Sequence, residues 1–286
     1  MTRTPHWLAQ HLAALRVVLV LTLLTGLAYP LAMTAFAQVP FLDGKSQLIA
    51  ANGKDASSSL IGQSFTDAKG NPLKRYFQSR PSNAGTGYDA TASGAGNQGP
   101  ESVVDTKDKP SLLTLVCGRS KAVGELEGVD GSRPFCTPDG VGAVLAVFYD
   151  GGTSGQVTQA VSLNQACPAK PFLSTYKGVR VTCAEPGADY SRAVTVPVRG
   201  DAPAHPVVPA DAVTASGSGL DPDISPAYAR LQAARVARER AASVAAVRKL
   251  IAKYTTDRTL GVLGEPSVNV VELNIALDRT YPQQGA

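Results

Sequence analysis

The sequence predicts an α+β protein: a single N-terminal transmembrane helix, then an extracytoplasmic mixed domain of short strands that ends in a helical segment. Three observations predict it. Val17 to Leu42 form a run with no charged residue. Short β-branched and aromatic runs, bounded by Gly, Pro, Asn and Ser, fill the middle of the chain. An Ala- and Arg-rich stretch with capping residues and helical apolar spacing closes it.

The most apolar part of the first run is Val17–Phe36, about the 20 residues a helix needs to cross ~30 Å of hydrocarbon. Gly26 and Pro30 lie inside it; membrane helices tolerate both, small residues allow close helix packing in lipid, and Pro30 is expected to kink this helix. Arg3 and Arg16 precede the run, no acidic residue occurs before Asp43, and Asp43 and Lys45 follow with opposite signs. The positive-inside rule then assigns residues 1–16 to the cytoplasm, 17–41 to the membrane and the rest to the outside. Ala35-Phe36-Ala37 also fits a signal-peptidase site, so a cleaved leader is the competing reading. The length of the run and Pro30 favour a retained anchor, and both readings export the remainder.

Cys117, Cys136, Cys167 and Cys183 all lie in one stretch and none forms C-x-x-C. The three histidines are remote from them in sequence, which argues against a zinc site. An even count outside the cytoplasm suggests disulfides. Of the three possible pairings, Cys117–Cys136 with Cys167–Cys183 closes the shortest loops, each bridge contributing ~3 kcal/mol in the chain-entropy model.

In residues 42–104, Leu48-Ile49 and Ser59–Phe65 read as short strands. Tyr76–Pro81 reads as extended, because Pro81 disfavours helix at Arg80. Ser82–Pro100 contains five glycines and reads as a loop. Residues 105–206 carry strand-like runs at Leu112–Cys117, Val141–Tyr149 and Gly178–Cys183, and read as a β-rich insertion braced by its cysteines. In residues 207–280, Ser225-Pro226 starts a helix with Ser as cap, and Ser243 caps a second. Val244, Val247, Leu250, Ile251 and Tyr254 give that second helix an apolar face. Asn269-x-x-Glu272 is capping-box-like and opens a last helix.

Candidate chemistry is sparse. Gly44-Lys45-Ser46 ends like a phosphate-binding loop, but the pattern needs Gly at position 39, where Val stands. Ser216-Gly217-Ser218-Gly219 resembles a nucleophile elbow, but Ser occupies the first glycine position. A hydrolase would have to join Ser216 or Ser218 to His205, which sits between prolines. Asp221-Pro222-Asp223 suits a hard cation or a charged lead-in to the following helix. Arg230, Arg235, Arg238, Arg240, Arg248 and Lys249 make the two-helix segment basic, either as a solvated face or as a dock for an acidic partner or lipid headgroups. A net charge of +4 without an aromatic–basic stripe points away from nucleic acid. The chain contains no aspartyl-phosphate DKTGT, no H-E-x-x-H and no TVGYG filter, so it lacks those means to hydrolyse ATP or conduct ions.

Several segments together resemble one family: LRVVLVLTLLTGLAYPL (Leu15–Leu31), SSLIGQSFTD (Ser58–Asp67), YFQSRPS (Tyr76–Ser82), ASG-x-G-N-x-GP (Ala92–Pro100), VTASGSGLDPDISPAYARLQAARVARER (Val213–Arg240) and TLGVLGEPSVNVVELNIALD (Thr259–Asp278). Their order and wording are similar to the C chain of the potassium-transporting Kdp ATPase. The resemblance marks Gln78, Ser79, Arg80 and Pro81, and Ser216, Gly217, Ser218, Gly219, Leu220, Asp221 and Pro222, as family motif loops. It implies a non-catalytic accessory subunit with two partners besides membrane lipid: a potassium channel-like subunit and a P-type ATPase subunit. ATP and potassium would be handled by those partners and no cofactor by this chain. The family is described as a catalytic chaperone that raises the ATPase subunit's affinity for ATP. The Cys-containing segment 105–206 departs from the compact connection of shorter members. An anchored hydrolase, or a binding module using that segment, is the alternative.

Overall fold

The structure is a computed structural model that describes residues 5–38, 48–51 and 54–282. Gly44-Lys45-Ser46, Asp43 and Arg3 lie outside the described residues. α1 (His6–Leu23) and α2 (Tyr29–Ala37) are joined by a π turn at Leu24–Ala28. Together they form a 32-residue rod in which no residue is buried and whose most apolar 18-residue stretch has a mean hydropathy of 2.1. At ~1.5 Å per residue it is long enough to span a bilayer. Pro30 lies in the first turn of α2, where its missing N–H and its ring fall against the widened turn. Gly26 sits within that turn.

β1 (Leu48–Ala51) and β2 (Lys54–Ser58) form an antiparallel hairpin. The strand expected over Ser59–Phe65 does not form. Its backbone groups bond elsewhere instead: Gly62 N–H donates to the Leu220 carbonyl (2.8 Å) and the Ser59 carbonyl accepts from the side chain of Asn269 (2.7 Å).

The strand expected over Leu112–Cys117 is instead the first part of a helix, α3 (Leu112–Glu127). The Ser111 hydroxyl caps it by accepting from Thr114 N–H (3.1 Å), and Gly128, left-handed at φ 69°, ends it. The apolar hexapeptide looked like a strand in isolation. Over 16 residues the buried positions Cys117, Ser120 and Gly124 recur at helical spacing. Gly124 and Gly131 lie so close that a Cβ on Gly124 would meet the Gly131 backbone at 2.7 Å.

Next comes a five-stranded sheet of β3 (Val144–Tyr149), β4 (Val157–Ala166), β5 (Thr175–Tyr176), β6 (Val179–Ala184) and β7 (Val194–Pro197). Its order is β5-β6-β4-β3-β7, antiparallel except for the parallel β4/β6 pair. Residues alternate between faces: Leu145, Val147 and Val181 cluster on one, Ala146, Val161 and Ala184 on the other. Cys117–Cys136 ties α3 to the turn before β3 (Cα–Cα 5.4 Å), and Cys167–Cys183 ties the chain after β4 to β6 (5.1 Å).

The chain ends in β8 (Asp223–Ile224), α4 (Pro226–Glu239), α5 (Val244–Lys253), β9 (Thr255–Thr256), β10 (Ser267–Asn269) and α6 (Val270–Thr280). β10 pairs antiparallel with β8 on one side and β9 on the other. Ser225, Ser243 and Asn269 cap α4, α5 and α6 through their side-chain oxygens. The main core joins Tyr228, Ala233 and Val236 of α4, Val247 and Ile251 of α5, and Leu273 and Leu277 of α6 to Phe77, Val208 and Val213. Val116 and Val123 of α3 pack against the same core.

Candidate functional site

Tyr76 closes a turn from Leu73, and Phe77–Pro81 after it has no regular secondary structure and belongs to no sheet. A buried backbone must still find partners for its N–H and C=O groups, and here helix side chains supply them. Asn274 of α6 accepts from Phe77 N–H (2.9 Å) and donates to the Phe77 carbonyl (3.0 Å). Gln232 of α4 does the same for Gln78, accepting its N–H (2.6 Å) and donating to its carbonyl (3.1 Å). Each primary amide presents one donor and one acceptor side by side, as an adjacent strand would. Arg235 donates to the Lys74 and Tyr76 carbonyls and Arg240 to that of Arg75 (2.9 Å). The strap thus held drops Phe77 into the core.

Beyond Gln78 the strap runs into the motif loops. Ser79 Oγ donates to the Gln63 carbonyl (2.8 Å). Arg80 pairs with Asp221 (3.1 Å) and donates to the Thr214 and Ala215 carbonyls (3.4 and 3.3 Å). Ser82 Oγ donates to the Gly219 carbonyl (2.6 Å) and accepts from the N–H groups of Ala84 and Tyr88. Tyr88 Oη donates to the Arg80 carbonyl (2.8 Å), and burial pushes its phenol up to about 12, so it stays a neutral donor. The Tyr88 ring lies on Gly62, where a Cβ would come within 2.2 Å of it. Gly219 has φ +71° and its missing Cβ would meet Ala84 at 2.9 Å, so only glycine fits. The Ser218 carbonyl accepts from Gly94 N–H (2.9 Å) and Ser93 Oγ (3.0 Å). The structure therefore brings together Gln78, Ser79, Arg80, Ser216, Ser218, Gly219, Leu220 and Asp221, and the Pro222 carbonyl receives the Val270 N–H. An open cleft of about 450 Å³ lies beside Gly62, Gly87 and Tyr88.

The serines of the elbow-like sequence serve the turn itself. Ser216 Oγ accepts from Gly219 N–H (3.0 Å) and Ser218 Oγ from Leu220 N–H (3.1 Å), while His205 is exposed. Asp223 accepts from Ser267 Oγ (3.0 Å), and burial pushes its carboxyl up. Among the described residues no group of three or more His, Cys, Asp or Glu could hold a metal ion.

Two arginines of the basic segment are not on a surface. Arg235 is buried against Glu127 of α3 at 2.9 Å, each side chain 1% exposed. Burial pushes the Glu127 carboxyl up, while Arg235 pulls the other way. Arg240 is buried beneath Tyr76, pairs with Asp278 (2.7 Å) and stacks 4.8 Å from the Tyr76 ring. A solvated or docking face therefore fits Arg230, Arg238, Arg248 and Lys249 only. The expectation fails at Arg235 and Arg240 because it counted all six basic residues as one face, when these two side chains clamp the strap. Sequence reading also missed Glu127, Gln232 and Asn274. The available signal was a polar residue on a helix's apolar stripe: Gln232 lies between Tyr228 and Val236, and Asn274 between Val270 and Leu277.

A family model described as K+-transporting ATPase, c chain, matches residues 11–111 and 189–279. The chain is similar to proteins named potassium-transporting ATPase KdpC subunit in several bacteria. That of Gemmatimonas aurantiaca is 36% identical over 94% of this chain and 92% of the relative. That of Rhodospirillum rubrum is 36% identical over 92% and 91%. That of Kineococcus radiotolerans is 35% identical over 96% of each.

Proposed function

The chain belongs to the KdpC family, the c chain of K+-transporting ATPases, and we propose that it is a non-catalytic, single-pass subunit that assembles the pump from outside the membrane. One observation carries this reading. The polar motif side chains Ser79, Arg80, Ser82, Ser216, Ser218 and Asp221 are bonded to one another or to loop backbone. Such an arrangement shapes a surface: these hydroxyls and this ion pair are engaged in holding the motif loops. The partners are a potassium channel-like subunit and a P-type ATPase subunit, which handle the ion and the nucleotide.

The polarity follows from charge: Arg3 and Arg16 precede the uncharged run that begins at Val17, and no acid does. Two cysteine pairs suit an oxidising compartment. With the soluble domain outside and ATP inside, an effect on ATP affinity is a coupling free energy carried through the membrane subunits, without contact between this domain and nucleotide. Residues 42–104 and 207–280 form the family domain, with 105–206 inserted as a brace.

An affinity-tagged chain solubilised from membranes should bring both transport subunits with it; recovery of neither rejects the reading. A cysteine placed after Asp278 should react with a membrane-impermeant maleimide in intact cells, and protection from it reverses the orientation. Gly26 has no atom within 4 Å of where a Cβ would stand. Gly26→Leu should therefore leave the chain itself intact and weaken its co-purification with the channel-like subunit, since a small residue allows close approach of a partner helix.

A further inference from the structure

α5 turns one face to the core and another outward. Val247 and Ile251 are buried, while Ala245, Arg248, Lys249, Ala252 and Lys253 are exposed. The exposed residues recur at i, i+3, i+4, i+7 and i+8, one side of a helix. That stripe carries three cations, and the helix, VAAVRKLIAK, contains no acid. None of the three is in an ion pair among the described residues. Lys253 lies over its neighbour Tyr254, 5.7 Å from the ring centroid. The nearest acids along the chain are Glu239, paired with Arg238, and Asp257. Lys249 and Lys253 stand four residues apart, where like charges oppose the helix. The positive charge is concentrated here without an answer inside the chain, and an outside anionic surface relieves that repulsion.

Two kinds of surface carry such charge, an acidic protein and an anionic lipid layer. The centre of a protein interface is built on aromatic and arginine anchors and is poor in lysine. The stripe has no aromatic residue, two of its three cations are lysines, and alanines flank them. Val244, 36% exposed, is the one large exposed apolar side chain of the helix. Charged heads on flexible stems meet hydrated phosphate headgroups without any such anchor. The stripe also ends where the chain arrives from the rod. Val268 of β10 pairs with Thr255, two residues after Lys253. Asn269, next along β10, donates to the Ser59 carbonyl (2.7 Å), and Ser59 directly follows the β1–β2 hairpin that comes after the rod.

We infer that Arg248, Lys249 and Lys253 form a headgroup-binding stripe that lays α5 against anionic phospholipid of the bilayer in which this chain is anchored. The inference rests on the single-span reading above. Each cation near an anionic surface is worth about fivefold in affinity, and the three together about a hundredfold. That is enough to fix the pose of a domain already tethered beside the lipid.

The test uses the full chain in lipid nanodiscs, with a fluorescent amino acid in place of Ala252 and a headgroup-labelled acceptor lipid. Energy transfer should be at least about twofold higher in discs containing phosphatidylglycerol than in discs of phosphatidylcholine alone. It should return to the phosphatidylcholine level in ~1 M KCl, where the screening length is ~3 Å. It should do the same at low salt when Arg248→Gln, Lys249→Gln and Lys253→Gln are combined, with an unchanged urea midpoint. Equal transfer in the two lipids, or a difference that survives the salt or the triple variant, overturns the stripe. Both leaflets of a disc carry the same lipid, so the result is independent of which side of the membrane the domain occupies. A chain that co-elutes with the discs but shows no lipid preference loses the stripe and keeps its anchor; one that co-elutes with neither disc loses both. In native membranes with the transport subunits co-expressed, a photo-crosslinking benzoylphenylalanine at position 252 should give lipid adducts. Adducts solely with a transport subunit or with a second copy of this chain, or no adducts, also overturn it.

Discussion

Asn274 and Gln232 do for one strap what a neighbouring strand does in a sheet, and the energetics of that substitution can be tested one residue at a time. Asn274 is 1% exposed and satisfies both backbone groups of Phe77. Asn274→Ala would leave a donor and an acceptor buried without partners, each costing about 1–3 kcal/mol. The urea midpoint should fall by the equivalent of roughly 2–4 kcal/mol with an unchanged slope. A loss below about 0.5 kcal/mol would mean that the strap is held elsewhere. At the surface, Asp89 accepts from the Thr91 hydroxyl (2.6 Å) and N–H (2.8 Å), and these bonds hold its carboxyl below the ordinary 3.8. A depressed folded-state value means that the carboxylate's stabilisation is fully present above the unfolded value and is lost as pH falls through the folded one. The stability gap between wild type and Asp89→Asn should therefore be constant above about pH 5 and shrink below pH 4. A gap that widens in acid would reverse the assignment. Asp223, pushed up by burial, acts in the opposite sense, so the comparison must be made site by site.

At the scale of elements, α3 shows why a hexapeptide misleads. Leu112–Cys117 alone reads as a strand, but a cap at Ser111, a left-handed Gly128 and a buried stripe at helical spacing make it helical. The Cys117–Cys136 bridge then fastens this helix to the turn before the five-stranded sheet. Replacing both cysteines by serine should cost about 3 kcal/mol, as expected for a loop of this length. Thermal unfolding with and without reductant checks this: without reductant the double variant should melt below the wild type, and with reductant, where Cys167–Cys183 opens as well, the two should match. The caps at Ser225, Ser243 and Asn269 were legible in the sequence because capping is local chemistry, decided within three residues.

For the whole molecule, the Glu127–Arg235 pair makes α3 part of the family core although the family match is interrupted between residues 111 and 189. Removing one partner of a buried ion pair costs about 3–5 kcal/mol, because the other charge is left uncompensated. Excising residues 112–188 should therefore destabilise the domain before any effect on transport can be read, and Glu127→Ala alone should show a large part of that loss in urea unfolding. A stable Glu127→Ala domain would show that the inserted segment is separable.

What the sequence by itself determined was whatever is set by short-range composition: the uncharged run Val17–Leu42, the helix caps, the glycine-rich loops and the family motif wording, whereas the cysteine pairing was one choice of three until the structure joined Cys117 to Cys136 and Cys167 to Cys183. What only the tertiary structure decided was which polar residues lie inside. Gln232, Arg235, Asn274 and Glu127 look like surface residues in sequence. Their partners lie in the strap at residues 74–78, or across the core between α3 and α4, more than a hundred residues away. Burial of a polar group is favourable only when such a distant partner is present, and no local pattern encodes that partner.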